Sequence, residues 1–521
     1  MGLEFDYIII GSGPAGTIMA KMLSDNKKNS VLLLEAGGNH DQNDAIKNSE
    51  HAFELEEKYY PQFFWQGLGI PQPGVDGHSF EWTTGRLLGG GSSINGEQYV
   101  RPTAGVLNEW ESLLGPRWSY DKAVEFFKKI ENYNGATTNP PARGEQGPID
   151  IRLVEESPVA EQLVEAIEKA TLIPKILDYN DPNTPMGPFI SWQLYQNPNG
   201  ERESASTAFL SDIMNEKGKG VNGRKLVVYW NTTALRILFD DQCAEGVEFL
   251  RAGEYVKAKA RKKVIVSAGI NSAQLLMLSG IGPASPLKSV GIPVIYDNEN
   301  VGKKLTNHTL NFAVFSKNHP PIQVKHGETD PNALYAGGAF LPDPAPGADQ
   351  SRRGVQLVGF DSEESLSIAI IYLHPKSTGS IVIQSKDPLQ IPLADEGFLA
   401  NPDDLEAIKN IYKTYIKPIA EKLMAMDPTY ELVSPTLDII NDDHELEHFI
   451  KEDFGHNHHH QGSLRMGPLE AGGVVDSRGY VYGVKNLIVA DDSIVPYVVD
   501  GNTSAPAYFI GYTIANYLLS R

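Results

Sequence analysis

Tyr7-Ile8-Ile9-Ile10 runs directly into Gly11-Ser12-Gly13-Pro14-Ala15-Gly16, and a second apolar run, Val31 to Leu34, ends on Glu35. The first run predicts a buried strand, the glycines a tight turn, and Ile18, Met19, Met22 and Leu23 at helical spacing the helix behind it. Each part has a mechanical reason. Glycines let the backbone turn sharply and approach a pyrophosphate, the helix N-terminus faces that negative charge, and an acid at the tip of the second strand accepts from an adenosine ribose. Strand, turn, helix and strand together predict an α/β fold that opens by gripping a dinucleotide. The turn does not choose among NAD, NADP and FAD, although the carboxylate of Glu35 argues against a 2′-phosphate.

At 521 residues the chain is long enough for two domains or for one large domain with a second interleaved, and 41% hydrophobic content is sufficient for a core. A formal net charge of −21 disfavours nucleic acid and anionic membrane surfaces, which select clustered Lys and Arg. The longest apolar stretches, Leu487 to Ala490 and Ser367 to Leu373, are too short to span a bilayer, so no membrane span is expected. Gly2, Leu3, Glu4 and Phe5, ahead of the first turn, lack the basic and apolar regions of a signal peptide. The single cysteine, Cys243, excludes an intrachain disulfide and a cysteine-rich metal site. It suits a reducing compartment, and a cytoplasmic location is the expectation.

Outward from the first unit, a loop-rich aromatic stretch from about His51 to Glu81 leads to Thr84-Gly85-Arg86-Leu87-Leu88-Gly89-Gly90-Gly91-Ser92-Ser93-Ile94-Asn95. Three glycines and two serines in a row fit no helix or strand interior. They fit a loop whose bare backbone presses on a flat ligand. The pattern predicts a helix over Trp110 to Asn134, a Pro/Gly-rich crossing at Asn139 to Gly147, and a mixed region from Asp150 to Asp212. Strands are predicted at Leu226–Trp230, Ala234–Phe239, Gly246–Leu250, Tyr255–Ala258 and Val264–Ser267, followed by a helix at Ser272–Ser279. A β-rich region covers Leu310 to Leu399, a helical one Asp403 to Met426. The tail offers a buried strand, Leu487 to Ala490, ending on Asp491 and Asp492, and a last helix from Pro506 to Leu519. Nucleotide-style pieces at both ends with different material between them predict one nucleotide domain built from separated segments, with a substrate domain inserted.

Gly85 to Asn95 with Tyr99, Pro102 and Asn108, and then Ser267-Ala268-Gly269-Ile270-Asn271-Ser272-Ala273-Gln274-Leu275-Leu276 closing on Ser279-Gly280-Ile281-Gly282, resemble the two signatures of the glucose–methanol–choline (GMC) family of FAD-dependent oxidoreductases. The second is one residue short and carries Ala273 where a proline is usual. Ser377 to Pro392 is similar to the family's substrate-domain strand segment and Val474 to Tyr508 to its C-terminal flavin segment, so the resemblance runs end to end and leans toward the choline dehydrogenase and hydroxymethylfurfural oxidase branch. It implies an FAD-binding domain of Rossmann type from residues 1–150, 215–310 and 455–521, and a substrate domain from 151–214 and 311–454 with an antiparallel sheet flanked by helices. It also implies FAD held by Gly11, Gly13, Pro14, Ala15, Gly16 and Glu35 on the ADP half, with Arg86, Gly90, Gly91, Ser92, Asn95, Asp491, Asn502 and Thr503 along the rest. Some members tether the flavin through a histidine that aligns with Ile94. Isoleucine cannot do this, so the FAD is expected to be noncovalent.

Oxidising an alcohol with a flavin requires a base near the hydroxyl and a carbon held against the ring. Histidine is the natural base at neutral pH. Phe454-Gly455-His456-Asn457-His458-His459-His460-Gln461-Gly462-Ser463 offers four candidates. The family pattern, with the catalytic histidine three residues before a Gly-Thr/Ser pair, selects His459, and the second family position falls on Asn502, an amide that orients the substrate oxygen without competing for its proton. The last helix starts just beyond Asn502, so its positive end is expected to face the flavin. An extended strand places His456, His458 and His460 on one face and His459 on the other. Metal binding is the rival reading of that trio, but no cysteine or paired acid completes a shell, so no metal site is expected. Trp65 and Tyr99 are candidates for the pocket wall, with core packing the simpler role.

The expected activity is oxidation of a primary alcohol to the aldehyde, with dioxygen or another acceptor reoxidising the flavin. The family also holds hydroxynitrile lyases with a redox-silent FAD, and light-driven fatty-acid decarboxylases whose cysteine-containing motif has no counterpart in this chain.

Overall fold

The computed structural model describes residues 2–48, 55, 61–154, 157–318 and 334–521. Most of the first part of the expected aromatic stretch, residues 51–54 and 56–60, lies outside them.

Two large sheets carry the architecture. In chain order their main strands are β1 (Leu3–Ile10), β2 (Ser30–Leu34), β3 (Lys225–Tyr229), β4 (Thr232–Asp240), β5 (Cys243–Arg251), β6 (Glu254–Val266), β7 (Thr309–Lys317), β8 (Leu334–Leu341), β9 (Val355–Asp361), β10 (Ser365–Tyr372), β11 (Tyr430–Ser434) and β12 (Leu487–Val489). The helices that matter for the site are α1 (Pro14–Asp25), α2 (Ala160–Thr171), α3 (Asn271–Leu278), α4 (Pro402–Ile411), α5 (Lys417–Met426) and α6 (Ser504–Leu519).

The first sheet has the order β4-β5-β6-β1-β2-β3, with β12 also pairing with β6. Its middle is parallel: Ile8 faces Val264 on one side and Leu32 on the other, and Val264 in turn faces Leu487. The strands there read as unbroken aliphatic runs because both faces of a parallel sheet are covered. Ile8, Ile9, Leu32, Leu33, Val264, Ile265 and Ile488 are all fully buried. Helices α1 and α6 pack together at a glycine: a Cβ on Gly511 would stand 2.5 Å from the carbonyl oxygen of Ala15. The sheet thus gathers strands from three separated stretches of chain.

The second sheet has the order β11-β7-β10-β9-β8, closed by the short strand Gly187–Phe189, and its pairs are antiparallel. Period-two alternation divides its side chains. Ala313, Leu357, Ile368 and Ile370 pack against Ile167, Ile408, Ile411 and Leu423 of the helices behind the sheet. Phe312, Val358, Ala369 and Ile371 point the other way. A two-residue strand, Gly455–His456, pairs with the start of β7 and ties the histidine segment to this sheet.

Three local expectations change. The helix expected over 110–134 is two helices, Ala104–Leu114 and Tyr120–Ile130, because Gly115 takes φ +91° and Pro116 follows it. The two strands expected at 255–258 and 264–267 are one, β6, whose N-terminal part, Glu254 to Lys259, pairs with β5 and whose stretch from Ala258 to Val266 pairs with β1. The last helix starts at Ser504 rather than Pro506. Among the described residues no helix is long and apolar enough to cross a membrane.

Candidate active site

A cavity of about 590 Å³ runs from the first glycine turn to the inner face of the second sheet. At its first end the wall is backbone. Gly11 takes φ +97°, and a Cβ there would stand 2.2 Å from the Ser267 carbonyl oxygen, so only glycine makes this turn beside β6. A Cβ on Gly16 would strike the Gly11 carbonyl at 2.1 Å, which seats α1 on the strand. Gly13 differs from both: nothing lies within 4 Å of its Cβ position, and the same holds for Gly91 and Gly269, all three lining the cavity. This is a cradle that side chains would fill. The N-termini of α1 and α6 both reach it, through Pro14 and Ala15 and through Thr503 and Ser504.

The acids at this end are held in place. Glu35 accepts from the Ser12 hydroxyl at 2.6 Å, the Ser12 amide at 3.1 Å and the Gly37 amide at 2.9 Å. Burial pushes its pKa up, and those N–H and O–H donors oppose the rise. Asp491 is likewise raised by burial while accepting from Ser272 at 2.6 Å, Gly269 at 3.0 Å and Ser493 at 2.8 Å. Asp492, beside it, lines the cavity with one buried carboxylate oxygen that no donor reaches, an atom a bound ligand would satisfy. The glycine-rich loop folds onto the first turn: Gly90 takes φ +56°, and its Cβ would stand 2.8 Å from the Gly13 Cα. Ser92 anchors the loop, donating to Gly89 and accepting from Ala205, and Asn95 donates to the Ser504 hydroxyl at 3.0 Å. Open glycines, two helix N-termini and an unsatisfied carboxylate fit a dinucleotide such as FAD.

Twelve of the fourteen expected cofactor residues line this cavity. Gly16 is the helix-packing glycine behind it. Arg86 stands with its guanidinium 4.7 Å from the Trp65 ring centre, and Trp65, not Arg86, reaches the cavity. Tyr99 is core, fully buried and hydrogen-bonded by Arg101. Ile94 lines the cavity with a side chain that has no group to form a covalent tether.

At the far end the site is built from side chains. Only Gly455–His456 of the histidine segment is strand, and His458 takes a left-handed φ of +52° at a bend, yet the imidazoles still divide into two sets. His456, His458 and His460 cluster with ring centres 4.4 to 6.4 Å apart. Each is engaged separately: His456 with the Glu81 carbonyl at 3.0 Å, His458 with the Thr83 hydroxyl at 3.2 Å, His460 with the buried carboxylate of Glu396 at 2.8 Å. Among the described residues no group of metal-ligating side chains is arranged to hold an ion.

His459 faces the other way. Its Nδ1 lies 2.8 Å from Nδ1 of His308, and its Nε2 lies 3.3 Å from Nδ2 of Asn502. The tautomers follow from the partners. His308 Nε2 is 2.9 Å from the Val499 carbonyl, which only accepts, so that nitrogen carries the hydrogen. Burial pushes the His308 pKa down to about 4, so the ring is neutral and its Nδ1 is a bare lone pair. His459 Nδ1 must then donate to it, leaving His459 Nε2 bare and turned to Asn502 and the cavity. Burial, and then the neighbouring His308, hold the His459 pKa well below the usual histidine range, so this lone pair persists at neutral pH.

Asn502 is fixed by the same logic. Gln356 donates from Nε2 to Asn502 Oδ1 at 3.2 Å and to Gln98 Oε1 at 3.0 Å, so the Asn502 amide presents its N–H to His459. Asn307 accepts from the His459 backbone amide at 2.8 Å and lies 3.2 Å from His456, gripping the histidine segment from both faces. Asp500 pins the loop before Asn502 to Thr103 and Arg353. Sequence reading missed Asn307, His308 and Gln356. The only trace of the first two is a polar pair immediately ahead of the apolar strand β7.

Comparison with known proteins gives the same architecture. Models of the GMC oxidoreductase N- and C-terminal regions match residues 5–310 and 375–511. An oxygen-dependent choline dehydrogenase of Rhizobium etli is 29% identical across 100% of this chain and 96% of its own length. A 5-(hydroxymethyl)furfural oxidase of Methylovorus sp. is 28% identical across 99% of both chains. The crystal structure of pyridoxine 4-oxidase from Mesorbium loti superposes with a TM-score of 0.84 at 24% identity, covering 99% of each chain, and that of a formate oxidase with 0.85 at 22% over 100% and 98%. The matched model covers more than half of the sequence, and the chain belongs to the GMC oxidoreductase family, as an FAD-dependent oxidoreductase of alcohols.

Proposed function

We propose that the protein oxidises a primary alcohol to its aldehyde with His459 Nε2 as the general base. The observation that carries this is the His308–His459 pair, which leaves one bare imidazole nitrogen facing a cavity beside an oriented amide. The alcohol hydroxyl docks between His459 Nε2 and the Asn502 N–H. His459 takes the hydroxyl proton, and Asn502 donates to the oxygen as its charge grows. Bound in the cradle, FAD would supply the two-electron sink for the α-hydride, with dioxygen or another acceptor as the final oxidant. The inner sheet face keeps water from the reacting carbon, and the α6 N-terminus places positive potential at the cofactor cradle. With Ile94 in the loop, the cofactor is held noncovalently by the cradle. The same reading makes residues 1–150, 215–310 and 455–521 the cofactor unit and 151–214 with 311–454 the substrate unit.

The test is His459→Ala on holoenzyme. Anaerobic addition of alcohol bleaches the oxidised flavin of the unaltered protein, and the variant retains its flavin but loses about 10²- to 10⁴-fold in kcat. Full activity in the variant rejects the base assignment. Retained yellow colour in the unaltered protein, with cleavage of a cyanohydrin, rejects the redox reading altogether.

A further inference from the structure

The wall that faces His459 and Asn502 is one side of the second sheet, and its chemistry is uniform. Leu310, Phe312, Val358, Phe360, Ala369 and Ile371 all line the cavity, contributed at alternate positions by β7, β9 and β10. Register makes them a continuous surface: Phe312 stands opposite Ala369, and Ala369 opposite Val358. Within that row the Ala369 methyl group lies between two larger side chains, which leaves a slot with an aromatic ring on one side.

Most polar groups at this end are already engaged. Gln356, opposite Ile371 on the same face, spends its amide N–H groups on Gln98 and Asn502, while its Oε1 is buried without a donor. The Tyr335 hydroxyl donates to the Gly96 carbonyl at 3.0 Å. Glu97 is the carboxylate that lines the cavity outside the glycine end, and it is buried, 3.2 Å from Arg202 and accepting from Gln196 at 2.8 Å. The other carboxylates of the cavity, Glu35, Asp491 and Asp492, belong to the glycine end.

From this placement we infer that the substrate is an uncharged primary alcohol with an apolar, ring-bearing body of the benzyl type, seated in the slot over Ala369 with its hydroxymethyl group at His459 and Asn502. The inference rests on the proposed alcohol oxidation and narrows it. A quaternary ammonium placed here would shed its water against Leu310, Val358, Ala369 and Ile371 with the Glu97 carboxylate already paired to Arg202, and the rings of Phe312, Phe360 and Tyr335 share the wall with those aliphatic side chains. A sugar would bury several hydroxyls with few free partners. The overall charge of −21 raises the local concentration of cations around the protein but does not alter the wall they would meet.

Holoenzyme is presented anaerobically with benzyl alcohol, 1-propanol, choline and glucose, and flavin bleaching is followed. The expected result is a kcat/KM on benzyl alcohol at least about tenfold above those on choline and glucose. Choline or glucose matching benzyl alcohol overturns the inference while leaving alcohol oxidation intact. Bleaching by none of the four sinks the alcohol-oxidation reading itself. Ala369→Phe fills the slot, and the ratio of kcat/KM on benzyl alcohol to that on 1-propanol is expected to fall about tenfold, with the flavin spectrum unchanged. Phe312→Leu, which keeps an apolar side chain and removes the ring, lowers the same ratio about threefold and covers the case in which Ala369→Phe does not fold. An unchanged ratio in a folded variant overturns the seating over Ala369.

Discussion

The two ends of the cavity are built on opposite principles. At the glycine end, the backbone makes the site: Gly13, Gly91 and Gly269 contribute by having nothing, and the acids nearby are held by main-chain amides. At the histidine end, side chains make it, each fixed by another: Val499 sets His308, His308 sets His459, Gln356 sets Asn502. A backbone site is vulnerable to added atoms, whereas a side-chain relay is vulnerable to lost ones.

The sharpest way to break this contrast is at Gly11 and Gly13. Gly11→Ala forces an alanine to φ +97° and drives its Cβ to 2.2 Å from a carbonyl oxygen that is part of the β6 edge. Left-handed strain and overpacking together cost about 3 kcal/mol or more, so flavin content and apoprotein Tm both collapse. Gly13→Ala, with φ −65° and open space ahead of its Cβ, is expected to leave the apoprotein Tm unchanged and to lose flavin, because the new methyl occupies the ligand's place. Equal Tm losses in the two variants would show that Gly13 is a folding residue like Gly11. His459→Ala is the mirror case, keeping flavin and losing turnover.

This division also explains what the chain discloses before it folds. The glycine end is local: Gly11, Gly13 and Gly16 lie in one turn, and Gly90, Gly91, Ser92 and Asn95 in one loop, so spacing alone carries their meaning. Arg86 shows the limit, since nothing in its own loop says that it will stack on Trp65. The alternation from His456 to His460 is equally local and matches the separation of His459 from its neighbours, although the backbone turns left-handed at His458 and does not run as the extended strand that alternation implies. Its partners were not. His308 and His459 are 151 residues apart and Gln356 and Asn502 146, and such pairs are created by the register of β7, β9 and β10. The apolar inner face was hidden for the same reason, because strands buried on both sides show no contrast along the sequence.

Acid separates the ends by sign. At the histidine end folded pKa values are depressed, His308 to about 4, with His456, His458 and His459 also lowered by burial. Such groups bind fewer protons folded than unfolded, so their contribution is complete above the unfolded value near 6.5 and is lost as pH falls through the folded one. At the glycine end Glu35, Asp491 and Asp492 are raised by burial, and their contribution is lost as pH rises through the folded value instead. His308 alone accounts for about 3 kcal/mol between pH 6.5 and 4. His308→Gln, which cannot titrate, should therefore gain about 3 kcal/mol on the unaltered apoprotein across that interval, read from denaturant midpoints at each pH. A constant difference would mean that His308 does not carry the acid sensitivity of this end.

The smallest effect is the most discriminating for the relay. Gln356 is fully buried, touches no reacting atom of the proposed oxidation, and acts on the site through the Asn502 carbonyl oxygen alone. Gln356→Leu keeps the volume and removes one neutral hydrogen bond to each of Asn502 and Gln98, worth about 1 kcal/mol apiece. Asn502 is then free to rotate its amide, and in the rotated form its oxygen meets the His459 Nε2 lone pair. Part of the population loses the donor to the substrate oxygen, so kcat should fall about fivefold, with flavin content unchanged and KM moving less than kcat. A merely structural role would lower Tm and leave the kcat of the folded fraction alone. An unaltered kcat would show that the amide holds its orientation without Gln356, and the histidine end would then be a pair of residues, His308 and His459, and not a relay.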